Sequence, residues 1–463
     1  MNVQSILKDV KKEIKPSKNE ESQMKAIIDM VTMVTKDIIR PLDLDYTISG
    51  SYIRDTWLSD KKEFDLFILF PKEYPRGELQ TTGLQIGRKI MEKIGGKYEI
   101  AYAEHPYTKG SFKGFSIDIV PCYKLRKIEE MQSAVDRTPF HNEYMKKNIT
   151  KKLSDEVRIL KKFTKSIGVY GSDVKTRGFS GYLCEILILK YKSFLKLLKA
   201  VESWKPGIFI DIEKHGNKER IQQITKNHPL IAIDPTDPKR NVAAALSPDN
   251  FVLFVKMCED FMNKPSRDFF FMENKKIQPK SIIQNMKKRG TKFIGLRFPR
   301  SDTVDDIIWS QIRRTSRRID GILKDNEFEI VGSLEYADEN YIIIIFEMEI
   351  WELPSIRKLK GPPLFNEKHS KQFVMKYRNV GRVFVEDNIY VAEIRRNYKT
   401  PEDLFAHFFR KKPPELMEAG IASKIAEGVS RFGVINQKNI EKFVSENYEF
   451  RKTFDFYLNK KFA

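Results

Sequence analysis

Two stretches in which acids alternate with large apolar side chains constrain this chain most. One is Glu63-Phe64-Asp65-Leu66-Phe67-Ile68-Leu69-Phe70, and the other is Phe115-Ser116-Ile117-Asp118-Ile119-Val120. Side chains on a strand alternate faces. Glu63 and Asp65 therefore point one way, while Phe64, Leu66, Ile68 and Phe70 point the other way, into a core. Asp118 likewise opposes Phe115, Ile117 and Ile119. Both stretches are predicted to be strands with one buried face and one carboxylate-bearing face. If they are neighbours in one sheet, three carboxylates collect on a single side. Taken alone, Glu-x-Asp is far more often a solvated strand face than a functional pair.

The rest of the chain places these strands in a mixed fold. Residues 1–40 carry apolar residues at helical spacing, and Pro41 ends that helix. Thr47 to Leu58 (TISGSYIRDTWL) reads as strand, turn and helix start, Thr81 to Ile94 as a helix stopped by Gly95-Gly96, and Tyr98 to Glu104 as a further strand. Residues from about 142 to 262 read as mostly helical. Beyond about 266, strands at Lys292–Phe298, Phe328–Ser333 and Tyr341–Ile350 flank a basic helix near 303–324. Further helices are predicted near 401–411 and 437–447. No apolar run approaches the roughly 20 residues of a membrane helix, and the N-terminus lacks the apolar stretch of a secretory signal. Three widely spaced cysteines argue against a disulfide framework or a structural zinc site. A soluble, cytoplasmic protein is expected.

Clustered carboxylates repel one another and hold together at neutral pH when cations sit between them. Oxygen donors without Cys or His suit Mg²⁺. Two such ions would polarise a phosphoryl group and activate an attacking hydroxyl. Upstream, Gly50-Ser51 lets the backbone approach a phosphate, and the helix start expected after it would offer free N–H groups to an anion. Arg54, one turn into that helix, would reach the same phosphate. A net charge of +20 points to a polyanionic partner, nucleic acid being the commonest. Arg313, Arg314, Arg317 and Arg318 share one helix face, and later basic clusters are interleaved with Phe and Tyr.

The ordered set GSYIRDTWL, EFDLF and SIDIVPCY resembles the nucleotidyltransferase superfamily of the DNA polymerase β type. More closely, it is similar to the archaeal, class I CCA-adding enzymes (tRNA nucleotidyltransferases). The blocks SAVDRTPFH, EVRILKKF, GVYG, VKTRGFSGYLCE and DPTDPKRNVAAALS continue the likeness in order to about residue 250. The resemblance implies an α+β multidomain fold: a polymerase β-like nucleotidyltransferase palm (1–141), a helical middle domain (142–265), a second α+β domain (266–375) and a basic C-terminal tail region (376–463).

It also implies that Glu63, Asp65 and Asp118 hold two Mg²⁺ ions and carry the catalysis. Ser51, beside Gly50, and Arg54 would contact the nucleotide. His141, Lys161 and Tyr170 would surround its phosphates and sugar, and Arg240 would read the base and touch phosphates of the RNA end. A second histidine common in the family is Asn142 here. The activity implied is template-independent addition of CCA to tRNA from CTP and ATP. The basic C-terminal half would grip the acceptor and TΨC stems, in a homodimer formed through that region. A poly(A) polymerase-like enzyme on the same sheet differs in product length. A non-catalytic RNA-binding protein on this scaffold need not keep all three acids.

Overall fold

The computed structural model describes residues 2–102, 104–216, 226–272 and 277–459. Ala103 of the predicted strand Tyr98–Glu104 and residues 217–225 of the predicted helical stretch lie outside the described residues. The chain divides into two compact units, one up to Lys275 and one from Lys276.

The first unit begins with two helices where the periodicity predicted one. They are α1 (Val3–Ile14) and α2 (Lys18–Ile39). Pro16 between them lacks a backbone donor, and Ser17 starts α2 with a capping box closed by Glu20. The two helices also join different cores. Ile6, Val10 and Ile14 of α1 pack with the helices of the middle of the chain. Met24, Ile28 and Val31 of α2 pack on a sheet.

That sheet has five strands: β1 (Asp45–Ser49), β2 (Glu63–Phe70), β3 (Lys97–Tyr102), β4 (Pro106–Phe112) and β5 (Phe115–Tyr123), in the order β1-β2-β5-β4-β3. The sequence pattern held no signal for β4, whose PYTKGSF lacks an apolar alternation. The two acid-bearing strands are direct neighbours and parallel; the other pairs are antiparallel. Phe64, Leu66, Ile68, Phe70, Ile117 and Ile119 all face the helix-covered side and are buried. Each such side chain contributes about 1.5–3 kcal/mol, so the pattern that buries them fixes the acids on the opposite face.

The helix α3 (Arg76–Ile94) covers this core through two glycines one turn apart. A Cβ at Gly83 would lie 2.5 Å from Pro121, and one at Gly87 would lie 2.2 Å from Thr108 Oγ1. The second core gathers α4 (Arg137–Asn148), α5 (Lys151–Ser166), α6 (Gly181–Tyr191), α7 (Phe194–Val201) and the helix Pro248–Asn263. A small three-stranded sheet, β6 (Ile208–Ile210), β7 (Leu230–Asp234) and β8 (Asp237–Asn241), joins them.

The second unit holds a four-stranded sheet in which β9 (Lys292–Pro299) and β11 (Tyr341–Met348) agree with the predicted strands, while β10 (Ile330–Ala337) only overlaps the predicted Phe328–Ser333 and runs on to Ala337. The basic helix spans Asp305–Asp325. Arg314, Arg317 and Arg318 are exposed along it, while Arg313 is half-buried. Residues 356–395, read only as basic clusters, form a three-stranded antiparallel sheet with the helix Glu367–Tyr377 against it. No described helix is long and apolar enough to cross a membrane.

The glycine seam gives a paired prediction. Gly87→Ala drives a methyl into Thr108 and should cost about 1–3 kcal/mol despite better helix propensity. Gly77→Ala, in the same helix with nothing within 4 Å, should be neutral or slightly stabilising. Urea unfolding of the two variants reads the difference, and equal effects would contradict the close approach.

Candidate active site

The register of β2 and β5 makes Asp65 and Asp118 cross-strand partners. The row continues on both sides, so that Ser49, Asp65, Asp118, Lys109 and Glu99 follow one another across all five strands. Burial pushes the Asp65 carboxyl up to about 6, with repulsion from Asp118 and Glu63 adding to it. Burial likewise pushes Asp118 up to about 6; Lys109 pulls it down, and Glu63 and Glu99 raise it further. Asp118 Oδ1 is buried and has no hydrogen-bond partner among the described residues.

Glu63 lies on the same face, two residues along, but its carboxylate accepts a 2.7 Å bond from Lys61 Nζ. No three acidic, histidine or cysteine side chains among the described residues converge on one point as they stand. The sheet thus puts all three acids on one side and pairs two of them. Repelling carboxylates with an unused buried oxygen fit a hard divalent cation, which supplies the missing positive charge.

The Gly-Ser loop sits against this pair. Gly50 has φ 98°, and a Cβ there would lie 3.2 Å from Asp65 Oδ2. Glycine therefore allows both the turn and the close approach. The predicted helix after it does not form. Residues 51–55 make turns, with Asp55 N–H donating to Tyr52 O and Thr56 N–H to Ser51 O, each at 2.9 Å. Asp55 adopts a left-handed φ of 52°, which ends helical continuation. Beyond it the chain is pinned from outside. Arg158 of α5, 1% exposed, donates to Trp57 O at 2.9 Å, to Asp155 at 3.0 Å and to Asp55. The N–H groups of a helix start are thus not available to an anion here; Ser51 is half-buried, and its hydroxyl has no hydrogen-bond partner among the described residues.

Two buried carboxylates organise the remaining residues. Glu185 of α6 is fully buried. It accepts from Thr56 Oγ1 at 2.6 Å and Lys161 Nζ at 3.1 Å, and its two oxygens lie 3.2 and 2.9 Å from Arg54 Nε. Arg54 Nη1 donates to Asn142 Oδ1 at 2.6 Å, and Asn142 Nδ2 donates to Ser49 Oγ at 2.6 Å. Burial acts to raise the Glu185 carboxyl, but Arg54 and Lys161 overcome it and hold it down at about 2. Burial lowers Lys161 against the pull of Glu185.

The second hub is Asp234, also fully buried. It binds His141 Nε2 at 2.8 Å, Arg240 Nη1 at 2.8 Å and the Tyr182 hydroxyl at 3.0 Å. The His141 ring stacks on Tyr182 with centroids 4.0 Å apart. Burial holds His141 below its ordinary range, against the pull of its hydrogen bond to Asp234. His141, Tyr182 and Arg240 line a cleft of about 810 Å³, together with Arg137, Ser180 and Asp237. That volume lies within the range of small-molecule and cofactor pockets. Among the described residues, Arg54, Lys161 and Tyr170 are not on its wall. Arg240 sits on β8, with Pro235 and Thr236 forming the turn before it.

The two networks are spliced by helices. On α4, His141 serves Asp234 and its neighbour Asn142 serves Arg54. On α6, Tyr182 serves Asp234 and Glu185, three residues on, serves Arg54 and Lys161, as helical spacing allows. Tyr170 is half-buried near the same helix. A Cβ at Gly181 would lie 3.0 Å from its hydroxyl and 3.5 Å from Lys161 Nζ.

Sequence reading missed Glu185, Asp234, Tyr182 and Thr56, and it set Asn142 aside. A signal existed for both hubs. Glu185 is the single charge in Leu183–Leu189, and Asp234 closes the apolar run Leu230–Ile233. An acid in an apolar segment must be paired if buried.

Glu185→Gln leaves Arg54 and Lys161 buried against a neutral amide, and should cost about 3–5 kcal/mol in denaturant unfolding at pH 7. The folded-state carboxyl lies below its ordinary 4.5. Its stabilisation is therefore complete above that value and is lost as pH falls toward 2. The stability gap between the native chain and the variant should narrow across that window. A gap that stays constant would contradict the buried ion pairs.

Three family models match the chain in tandem. Residues 11–141 match the nucleotidyltransferase domain, 155–271 the tRNA nucleotidyltransferase second domain, and 289–429 the CCA-adding enzyme C-terminal domain. The CCA-adding enzyme of Methanocaldococcus jannaschii is 41% identical over 413 residues, covering 88% of this chain and 90% of its own. That of Archaeoglobus fulgidus is 40% identical over 363 residues, covering 78% and 80%. That of Methanosarcina mazei is 35% identical over 456 residues, covering 96% and 97%. A solved cytoplasmic RNA terminal U-transferase is similar at 15% identity and a TM-score of 0.46, over 58% of this chain and 97% of its own. With identity of this order to the curated proteins over most of both lengths, and with all three domains matched in sequence, the chain belongs to the archaeal CCA-adding enzyme family.

Proposed function

We propose that this chain adds and repairs the 3′-terminal CCA of tRNA without a nucleic acid template, using CTP and ATP and releasing pyrophosphate. The observation that carries the reading is the pairing of Asp65 with Asp118 beside the Gly50-Ser51 loop. Nucleotidyltransferases generally work with divalent metals. Glu63, Asp65 and Asp118 would hold two Mg²⁺ ions here, with Lys61 ceding Glu63. When bound, such ions neutralise the triphosphate and lower the pKa of the RNA 3′-hydroxyl.

The chain's own residues do the rest. The 3′-oxygen forms a bond to the α-phosphorus as the bond to the β-phosphate oxygen breaks, and the hydroxyl proton leaves to solvent. Arg54 is held by Glu185 and Asn142 through Nε and Nη1, which leaves Nη2 without a partner among the described residues for a phosphate oxygen. Lys161 sits behind it at the same carboxylate and reinforces the positive field where charge builds. Ser51 and Tyr170 add hydroxyls around the phosphates and sugar.

At the other hub, Asp234 fixes one nitrogen of Arg240 and leaves the rest of its guanidinium, a third exposed, toward the cleft. There it can donate to cytosine O2/N3 or adenine N1, with the growing RNA end changing the depth of the pocket. His141, kept neutral by burial, stacks with Tyr182 as part of the cleft wall. The basic C-terminal half would hold the acceptor and TΨC stems through phosphates and helix shape rather than sequence. The chain would work as a cytoplasmic homodimer, which sedimentation of the purified protein reads directly.

Incubation with tRNA lacking its 3′ end, Mg²⁺ and labelled CTP and ATP should give a product that stops after CCA; a homopolymer or no addition would overturn the reading. Asp118→Asn should abolish addition while leaving tRNA affinity within a few-fold, and an active variant would reject the assignment of that acid. Arg240→Ala should damage the choice among CTP, ATP and UTP more than the fold. Unchanged discrimination with a normal melting curve would reject its role at the base.

A further inference from the structure

We infer that Lys109 receives a backbone phosphate at the 3′ end of the RNA, on the side of Asp118 away from the nucleotide. The inference rests on the reading of the carboxylate pair given above. Across the acid-bearing face of the sheet the row reads Ser49 on β1, Asp65 on β2, Asp118 on β5, Lys109 on β4 and Glu99 on β3. The Gly50-Ser51 loop and Arg54 follow directly from β1, so the triphosphate side of the reaction lies at the β1–β2 end of this row.

Nucleotidyl transfer is an in-line displacement in which the attacking and leaving oxygens occupy opposite sides of the phosphorus. With the leaving pyrophosphate over β1 and β2, the attacking hydroxyl must come in over β5 and β4. The first cation met on that side, adjacent in register to Asp118, is Lys109.

Its surroundings suit an exchange of partners. The Lys109 side chain is half exposed, and its Nζ lies 3.6 Å from Glu99 Oε1, itself on the edge strand and 71% exposed. A long, solvated pair of this kind contributes little to stability, so the ammonium can pass from Glu99 to a phosphate oxygen at small cost. Glu99 meanwhile keeps it lying along the row rather than folded onto Asp118. Of the neighbouring lysines, Lys62 lies over the Phe115 ring and Lys113 over the Phe112 ring, while Lys61 precedes β2, on the nucleotide side of the row.

The test uses the full-length protein with an RNA minihelix that ends before the CCA, plus Mg²⁺ and CTP. Lys109→Met keeps the aliphatic stem and removes the charge. The variant should lose about tenfold in kcat/KM for the RNA, with the KM for CTP unchanged within about twofold. Its log–log salt dependence of kcat/KM for the RNA should become shallower by roughly 0.7–0.9. Lys109→Arg should recover most of the loss. An unchanged kcat/KM and salt slope for the RNA would overturn the inference, as would an equal change in both substrates' constants or an arginine variant as impaired as the methionine one. Those outcomes would leave Lys109 as a counter-charge to Asp118 only. Asp118→Asn run in parallel separates the two levels. If it stays active, the reading of the carboxylate pair fails; if it is inactive while Lys109→Met behaves as native, only the placement of the RNA end fails.

Discussion

Asp65 and Asp118 stand side by side because β2 and β5 are parallel and in register, and neither can leave the other without pulling Phe64 or Ile117 out of a dry core. Two carboxylates in that position repel, and burial makes the repulsion worse. The protein accepts an unfavourable arrangement at the centre of its sheet, where a solvated strand face would cost nothing. Stabilisation comes from behind, through the apolar face of both strands and the glycine seam of α3, and leaves the acid face poised for cations.

The loop that follows β1 is shaped by the helical part of the same unit. Four consecutive residues, Arg54 to Trp57, are each tied to α5 or α6: Arg54 and Thr56 to Glu185, Asp55 and the Trp57 carbonyl to Arg158. These bonds take the place of the helix that the local sequence would otherwise start. They also position Arg54 and Lys161, the cations proposed to face the phosphates. Buried ion pairs seldom add net stability over an apolar packing of the same volume. Their retention here matches a requirement for position: a guanidinium held at two nitrogens has one direction left in which to point. Asp234 applies the same device to Arg240. Because α4 and α6 each serve both hubs, the Glu185 and Asp234 networks cannot shift independently.

Legibility from sequence followed the strength of the local signal. The acid-bearing strands were readable because a period-two pattern with one wholly apolar face fits a half-buried strand and does not fit a helix. Helix α3 was readable because Gly95-Gly96 stops it. The break at Pro16 was readable in principle, since the proline and the Ser17–Glu20 capping box both mark it; the longer apolar periodicity masked them. Strand β4 was not readable, because its threonine, lysine, glycine and serine are set by neighbours on either side rather than by any pattern of their own. The helix expected after Gly50-Ser51 failed for a similar reason. Contacts from Arg158 and Glu185, more than a hundred residues away, override the local preference. By residue type a lysine is mostly exposed and a histidine only partly buried; only tertiary structure reveals the carboxylates beside which Lys161 and His141 are buried. The resemblance to a family supplied those two positions, and it did not supply Glu185 or Asp234.

The central claim is that the Asp65–Asp118 pair is a divalent-ion site. Anomalous diffraction from crystals of the full chain grown with Mn²⁺ and CTP tests it most directly. A peak coordinated by carboxylate oxygens of both residues, with triphosphate oxygens completing the shell, is the predicted result. Anomalous density that touches only one of the two acids, or lies elsewhere on the sheet while the nucleotide is bound, would contradict it.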